Sequence, residues 1–201
     1  MGRKTVEGKQ TKQVLPQLFQ DLIQAMSFPK SMRWGTEETR FVRPIRWIVA
    51  LCDKEVIPFR IAGVDSGCLS RGHRFLCPGE VRVPSAGEYL AVMDKAFVMA
   101  DQNVRRETIR RGLVELADNI HGVVKHDAGL LEEITYLVEY PTPLCGHIDG
   151  HFLELPEPAV ITPMKDHQRY YPVRDRNGQL MPLFLTVRNG GRQSLHTVQV
   201  G

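Results

Sequence analysis

Basic and aromatic side chains alternate in one stretch of the sequence, SFPKSMRWGTEETRFVRPIRWIVAL, which covers residues 27–51. Guanidinium groups match the geometry of phosphate oxygens, and flat rings can stack on unpaired RNA bases. In an extended strand, Arg40 and Arg46 would share one face, and Arg43 would lie on the other face with Trp47. An ordinary strand with a solvated basic face would show the same pattern. The candidate RNA contacts in this stretch are Lys30, Arg33, Arg43 and Arg46.

Two shorter segments also offer hydrogen-bond donors to phosphate, ribose and base edges. MKDHQRYYPV, residues 164–173, lies next to a predicted hairpin, and RGHRF, residues 71–75, contains Gly72, which lets the backbone bend. The alternatives are a helix end that meets an amphipathic strand with a core tyrosine, and a β-bulge with solvated arginines. The candidate contacts in the two segments are Arg71, His73, Arg74, Lys165, Gln168, Arg169 and Tyr170.

The segment HIDGH places His147 and His151 four residues apart, with Asp149 between them. Two histidines at this spacing on a helix can share a metal ion. Gly150 and the prolines before it argue against a helix here, and no third strong ligand lies nearby in the sequence. We therefore expect surface histidines and assign no metal ligand, while a metal-dependent hydrolase that uses these three residues stays an alternative.

Sequence signatures of catalysis are absent. The chain has no GxGxxG, P-loop, HExxH or GxSxG motif. We assign no catalytic residue and expect no cofactor in this chain. A basic cluster at Arg105, Arg106, Arg110 and Arg111 is expected to be the solvated face of a helix, with Glu107 pairing to Arg111 one turn later.

Composition favours a folded, intracellular chain. Of 201 residues 42% are hydrophobic and 24% are charged, and the net charge of +3 permits a nucleic-acid partner without requiring one. The four cysteines form no CxxC pair, which excludes a zinc ribbon and is typical of reduced thiols. Neither a signal peptide nor a membrane-spanning run is present, so we expect a cytoplasmic protein without a membrane partner.

Helices and strands can be placed by periodicity and by capping residues. We predict a helix over 12–26 with Pro16 in its first turn, followed by a β-rich region over 39–83. Ser85 with Glu88 and then Asp101 can each cap a helix. Further predicted elements are a strand end at HGVVKH, a helix over 130–139, an extended YPTPLCGHI, a short helix over 155–161 that ends before Pro163, and the strands QRYYPV and LMPLFLTVRN joined through Asn-Gly.

These elements indicate an α+β fold, with antiparallel β hairpins and a sheet against several packed helices. We divide the chain into a helical lead-in over residues 1–26 and an α+β region over 27–201, with a possible boundary near 84–126. Charge is uneven, because residues 127–158 hold seven acids and no Lys or Arg, whereas 165–192 hold six basic residues. One face could therefore meet a polyanion and another a protein.

Five segments together resemble one family. FPKSMRWG, RFVRPIRWIVAL, RGHRF, MKDHQRYYPV and LFLTVRN occur in the order expected for the beta subunit of bacterial heterotetrameric glycyl-tRNA synthetase. The match runs from about residue 8 to residue 190, and family members are far longer, so the chain resembles an internal fragment. It departs from the family pattern at Pro163, where a small or hydroxyl residue is expected.

The resemblance implies an accessory region that supports tRNA(Gly) recognition and assembly with the catalytic alpha subunit. The holoenzyme would use ATP, with Mg²⁺, to join glycine to tRNA, and the rest of the beta subunit would be a further partner. A structural module that faces the alpha subunit through residues 127–158 is the first alternative. An editing hydrolase is the second.

Overall fold

The computed structural model describes residues 8–191. The described residues form two compact units, one of residues 8–71 with 79–92 and one of residues 72–78 with 93–191. Each unit combines helices with antiparallel strands, which confirms the predicted α+β class. The domain boundaries expected from the sequence stay predictions.

The first unit contains one long helix and short strands. Its elements are α1 Thr11–Ala25, β1 Ile48–Val49, β2 Leu51–Cys52, β3 Glu55–Val56, β4 Arg60–Ile61, β5 Val64–Gly67, β6 Leu69–Arg71 and β7 Glu80–Arg82. Strand β5 pairs in parallel with β1 and antiparallel with β4, and β2 and β3 form an antiparallel hairpin within the predicted β-rich region. Ala62 and Gly63 join β4 to β5 with φ of 50° and 73°, the left-handed pair that tight hairpins require.

Helix α1 confirms the predicted segment with one correction. Its residues Leu15, Phe19 and Ile23 pack on a core that includes Ile57 and Phe59. Pro16 was predicted in the first turn but lies inside the helix. Proline has no N–H, so one hydrogen bond to the preceding turn is missing at this position. The packing of α1 must offset this loss of helix stability, which a proline in the first turn would avoid.

The β-rich region predicted from residue 39 begins later than expected. Regular pairing begins only at Ile48, and the preceding segment forms a single antiparallel bridge between Met32 and Phe41. Pro44 explains the difference, because it cannot donate a ladder hydrogen bond and restricts the backbone of Arg43. The expected division of arginines between two strand faces therefore does not apply.

The second unit is larger than the first. The remaining elements, the first of which begins in the first unit and ends in the second, are α2 Tyr89–Lys95, α3 Gln102–Asn119, β8 Val123–Val124, α4 Ala128–Leu137, β9 Pro141–His147, α5 Glu157–Thr162, β10 Tyr171–Arg174 and β11 Leu180–Asn189. Four strands form an antiparallel sheet in the order β8-β10-β11-β9. Strand β9 lies at the edge of the sheet and pairs only with β11. Its prolines lack an N–H group, but at an edge no second strand needs a hydrogen bond from them.

Helices α3 and α4 begin at aspartate caps, of which Asp101 was predicted and Asp127 was not; the predicted Ser85 cap forms no side-chain hydrogen bond to the helix backbone. The Asp101 carboxylate accepts hydrogen bonds from the backbone N–H groups of Asn103 at 2.8 Å and Val104 at 3.3 Å, and Asp127 accepts from Leu130 at 3.0 Å. The core of the unit lies between these helices and the sheet. Its buried members are Ile109, Leu113, Ala117, Leu130, Leu131, Ile134, Val138, Tyr171, Val173 and Leu185.

Pro163 does not end the helix before it, contrary to the prediction. Helix α5 continues directly into a π-helical turn, Pro163–His167. A proline has no N–H to donate, so the wider turn fits where an α-helical bond is missing.

The predicted β10–β11 hairpin forms. Only Gly178 of the Asn-Gly pair has positive φ. The Asp175 carboxylate holds the turn by accepting hydrogen bonds from the N–H groups of Asn177 and Gln179, both at 2.8 Å.

All four cysteines are free thiols. None of the helices within residues 8–191 is both long and apolar enough to cross a membrane.

Candidate nucleic-acid interface

A backbone bridge closes the basic segment into a loop. Met32 donates to the Phe41 carbonyl at 2.9 Å, and Phe41 donates to the Met32 carbonyl at 3.2 Å. The ring of Phe28 meets that of Phe41 edge-on, with centroids 4.9 Å apart. A turn inside the loop is held by a hydrogen bond from the Glu37 N–H to the Trp34 carbonyl at 3.1 Å. Aromatic packing and backbone pairing therefore fix the course of this segment without a regular strand.

Four cationic side chains flank this bridge. Arg33 and Arg40 stand next to it inside the loop, while Lys30 and Arg43 lie two residues outside it. All four side chains are exposed, and none forms an ion pair with a described residue. We call the segment 30–43 with these four cations the basic loop. It presents solvated positive charge that a polyanion can neutralise.

An open groove of about 430 Å³ lies beside the basic loop. It combines one guanidinium group with several neutral hydrogen-bonding side chains. Its lining residues are Gln24, Met26, Ser27, Phe28, Ser31, Thr39 and Arg40. Hydroxyl and amide groups next to an arginine suit contacts with phosphate and ribose oxygens.

Two further candidates lie elsewhere in the first unit. Arg46 is exposed and forms no ion pair within the described part of the chain. The guanidinium of Arg71 lies over the Trp47 indole, 5.6 Å from the ring centroid. This stacking holds a cation and an exposed aromatic surface together, a combination that the spacing of the two residues did not predict.

The RGHRF segment is a tight turn in which the candidates differ in exposure. The ring of His73 is buried at 2% exposure, and its Nδ1 accepts hydrogen bonds from the N–H groups of Phe75 and Leu76 at 3.3 Å. Arg74 is exposed, with its guanidinium 5.9 Å from the Phe75 ring centroid. His73 therefore organises the turn, and its contact with RNA stays a prediction that its burial does not favour.

Gly72 is required by close packing in this turn. A Cβ atom there would stand 2.7 Å from the Cys77 carbonyl oxygen and 3.0 Å from that of Ala96. The turn itself lies at residues 74–76, so the approach of neighbouring backbone, and not a bend at Gly72, explains the glycine.

The basic candidates near residue 165 are paired with acids. The Lys165 ammonium lies 2.5 Å from the Asp127 carboxylate, and the Arg169 guanidinium lies 2.7 Å from that of Glu133. The hydrogen bond from Lys165, together with the backbone N–H of Leu130, lowers the pKa of Asp127 below its ordinary value. RNA contact by the two cations stays a prediction, and these pairs give them a structural role.

The remaining candidates differ in accessibility. Tyr170 is half-buried and stacks on Phe184, with ring centroids 4.2 Å apart and planes inclined by 10°. Gln168 is exposed. Tyr171 is only 4% exposed, and its hydroxyl has no hydrogen-bond partner among the described residues.

Arg110 and Arg111 of α3 are exposed and paired with an acid, as predicted for a solvated helix face. Arg105 is not solvated, because its half-buried guanidinium donates to the backbone carbonyls of Met99 and Thr135. Glu107 accepts from Arg110 at 2.7 Å and from Arg111 at 2.6 Å, which lowers the pKa of Glu107 to about 2. Arg106 lies 2.6 Å from Glu132, in α4.

The HIDGH segment shows no metal-binding geometry. Asp149 lies 2.8 Å from the Nδ1 of His151 and accepts from its backbone N–H at 3.1 Å. Residues 8–191 contain no group of three potential ligands that could hold a metal ion. The hydrolase alternative therefore has no support from the arrangement of His147, Asp149 and His151.

Comparison with known proteins identifies the family. Residues 1–201 match the family model described as "Glycyl-tRNA synthetase beta subunit". A glycine–tRNA ligase beta subunit from Moorella thermoacetica is 48% identical over 198 residues, which are 98% of this chain and 28% of that protein. The corresponding protein of Bacillus subtilis is 45% identical over 199 residues, 99% of this chain and 29% of its own length.

A third relative, from Listeria monocytogenes and also named glycine–tRNA ligase beta subunit, is 44% identical over 200 residues, 99% of this chain and 29% of that protein. The chain thus spans less than a third of the length of these curated relatives. Similarity over its whole length shows that the chain belongs to the glycyl-tRNA synthetase beta subunit family.

Proposed function

We propose that this chain is an accessory region of a glycyl-tRNA synthetase beta subunit and contacts tRNA(Gly) through the basic loop. It supports recognition of the tRNA in an assembly with the catalytic alpha subunit and the rest of the beta subunit. That holoenzyme works in the cytoplasm and joins glycine to tRNA(Gly) with ATP and Mg²⁺. The proposal assigns no catalytic residue and no cofactor to this chain.

The unpaired state of the basic-loop cations is the observation that supports this function best. Lys30, Arg33, Arg40 and Arg43 form no ion pair with a described residue. By contrast, Arg106 and Arg110 each lie within 2.7 Å of a carboxylate. A phosphate can approach a solvated cation without displacing an internal partner, and the released counterions add to the affinity.

Binding of labelled tRNA(Gly) to the chain in a filter assay tests the proposal. At about 50 mM salt we expect binding that weakens steeply towards about 200 mM. The double variant Arg33→Gln with Arg43→Gln removes two loop charges. It should weaken binding by about ten-fold or more, since each lost phosphate contact reduces affinity.

A matched control is the double variant Arg110→Gln with Arg111→Gln, which removes the same charge from side chains paired to Glu107. It should change the affinity less than about three-fold. Equal losses in the two double variants, or no binding at low salt, would contradict contact through the basic loop.

A second candidate function is contact with the alpha subunit. The acidic stretch over 127–158 is largely neutralised, because Asp127, Glu132, Glu133 and Glu157 each pair with a cation of the chain. Apolar groups are exposed in the same stretch, including Tyr136 at 58% and Leu137 at 60%. These exposed groups favour an apolar contact with the alpha subunit over an acidic one.

Co-purification with the alpha subunit tests this second function. The variant Leu137→Ser should reduce capture of the alpha subunit by the chain. The variant Glu154→Gln, which changes an acid of the same stretch, should not reduce it. Capture that depends on Glu154 and is insensitive to Leu137 would favour an acidic surface instead.

A further inference from the structure

A pocket of about 380 Å³ opens in the first unit, and its first lining residue, Trp47, follows the basic loop closely in the chain. It combines two aromatic side chains with aliphatic groups and the hydroxyls of Ser70 and Tyr89. Its lining residues are Trp47, Val49, Leu51, Ser70, Val83, Ala86 and Tyr89. Trp47 and Tyr89 both line the pocket. We call it the Trp47 pocket.

Regular elements and backbone hydrogen bonds hold its walls. Val83 is 1% exposed, and its N–H donates to the Cys68 carbonyl at 2.8 Å. Ala86 donates to the Asp53 carbonyl at 2.7 Å, which anchors the turn that leads to Tyr89. The pocket is therefore pre-formed, and an occupant would not have to order its walls.

Trp47 provides an accessible stacking surface. Its side chain is 44% exposed although it borders the unit's interior, and the Arg71 guanidinium lies 5.6 Å from its ring centroid. An indole kept partly exposed beside a cation suits a flat, electron-rich ring system with an attached negative charge.

Among the chain neighbours of the lining residues, three are arginines and one, Glu88, is acidic. None of its lining residues is acidic. Arg46 and Arg82, the neighbours of Trp47 and Val83, are exposed and form no ion pair with a described residue. Glu80 is opposite Arg71 in the β6–β7 register, but the two form no ion pair either. A neutral apolar ligand would gain nothing from these arginines, whereas a nucleotide would use both the rings and the charges.

We propose that the Trp47 pocket binds an unpaired nucleobase of RNA, stacked on the Trp47 indole, with the adjoining phosphates near Arg46 and Arg71. This inference rests on the proposed RNA contact and specifies one subsite of it. Stacking on an aromatic side chain tolerates any base, so the pocket discriminates single-stranded from paired RNA and not one sequence from another.

Tryptophan fluorescence tests the subsite directly, because the chain has two tryptophans and Trp34→Phe leaves Trp47 as the sole one. In this variant, a single-stranded oligoribonucleotide should quench the Trp47 emission as it binds. A fully paired duplex of equal length should bind with little quenching. Free AMP serves as a third probe, and quenching by AMP alone at equal concentration would show a mononucleotide site instead of an RNA subsite.

Affinity provides a second readout. Trp47→Leu should weaken binding of the single-stranded oligoribonucleotide by about ten-fold, and Trp47→Phe by less, since stacking scales with the aromatic surface. Tyr89→Leu should also weaken it while leaving Trp47 in place. Thermal unfolding of each variant separates lost stacking from lost folding.

Two failures can be told apart. If tRNA(Gly) binds with the expected dependence on the basic loop while Trp47 emission does not change at saturation, the subsite is wrong and the proposed function stands. If neither tRNA(Gly) nor the oligoribonucleotide binds, the proposed function and the subsite both fail.

Discussion

Met32 and Phe41 exchange both of their backbone hydrogen bonds, at 2.9 and 3.2 Å, without belonging to any regular strand. This single bridge decides where four cations of the first unit stand. Arg33 follows Met32 and Arg40 precedes Phe41 in the chain, while Lys30 and Arg43 lie two residues outside the bridge. The proposed tRNA contact therefore depends on a local fold as well as on positive charge.

The first prediction concerns this bridge. Phe41→Ala removes the ring that packs edge-on against Phe28 at 4.9 Å and leaves the net charge unchanged. We expect tRNA(Gly) affinity to fall by about three- to ten-fold, because an aromatic pair contributes roughly 0.5–1.5 kcal/mol to holding the loop. Filter binding measures the affinity. Phe152→Ala, which removes an exposed ring of the second unit, is the control. An unchanged affinity in Phe41→Ala would show that loop geometry does not matter.

The second prediction concerns pH. The hydrogen bond from Lys165 lowers the pKa of Asp127 below its ordinary 3.8, so the folded state favours the carboxylate. Its stabilising effect is fully present above that ordinary value and is lost as the pH falls through the lowered folded-state pKa. Asp127→Asn keeps a good helix cap but loses the ion pair, which should cost about 1 kcal/mol at neutral pH.

Urea unfolding at several pH values measures this effect. The difference between the native chain and Asp127→Asn should be largest near neutral pH and should shrink as the solution is acidified below about pH 4. Asp118→Asn, which removes a carboxylate without an ion pair among the described residues, is the control. A difference that is independent of pH would exclude the ion pair as its cause.

The third prediction concerns the buried phenol of Tyr171. Burial, with Asp127 nearby, raises the pKa of Tyr171, and its hydroxyl has no partner among the described residues. Tyr171→Phe should therefore be neutral or stabilise the fold by up to about 1 kcal/mol. Tyr171→Ala should cost about 3–5 kcal/mol, because it leaves a cavity in the core. Chemical denaturation separates the two, and a clear loss of stability in Tyr171→Phe would mean that the hydroxyl is hydrogen-bonded.

The fourth prediction compares two helical glycines. A Cβ on Gly112 of α3 would stand 2.6 Å from the Pro143 ring, whereas one on Gly129 of α4 would meet Asp127 at an ordinary 3.6 Å. Gly112→Ala should destabilise the chain by about 1–3 kcal/mol through overpacking. Gly129→Ala should stabilise it by up to about 1 kcal/mol, because alanine favours the helix. The same sign of change in thermal unfolding for both variants would contradict this packing of α3 on β9.

Local signals in the sequence were sufficient for one helix start and insufficient for others. Asp101 caps α3 as predicted, because an aspartate side chain reaches N–H groups only two or three residues ahead. Asp127 caps α4 without having been predicted, and the predicted Ser85 cap forms no side-chain hydrogen bond to the helix backbone. The β10–β11 hairpin was also predictable from its turn residues, although Asp175 holds that turn more than the Asn-Gly pair does. Such interactions depend on neighbours in the sequence and can be predicted without the fold.

Long-range contacts were not predictable. The pairing of Lys165 with Asp127 and the stacking of Arg71 on Trp47 join residues that only folding brings together. The sequence predicted one class of basic candidates, whereas the structure separates solvated cations, such as Arg33, from paired ones, such as Arg169. Regular pairing begins at Ile48, later than the β-rich region expected from residue 39, because Pro44 cannot donate a hydrogen bond to a strand ladder.

The salt dependence of tRNA(Gly) binding tests the central claim most directly. If about six phosphates are engaged, the logarithm of the binding constant should fall against that of the salt concentration with a slope of about −4 to −5. Replacing Lys30, Arg33, Arg40 and Arg43 together by glutamine should make that slope shallower by about 3, because the lost contacts no longer release counterions. An unchanged slope in this variant, with its fold intact, would contradict contact between the basic loop and tRNA.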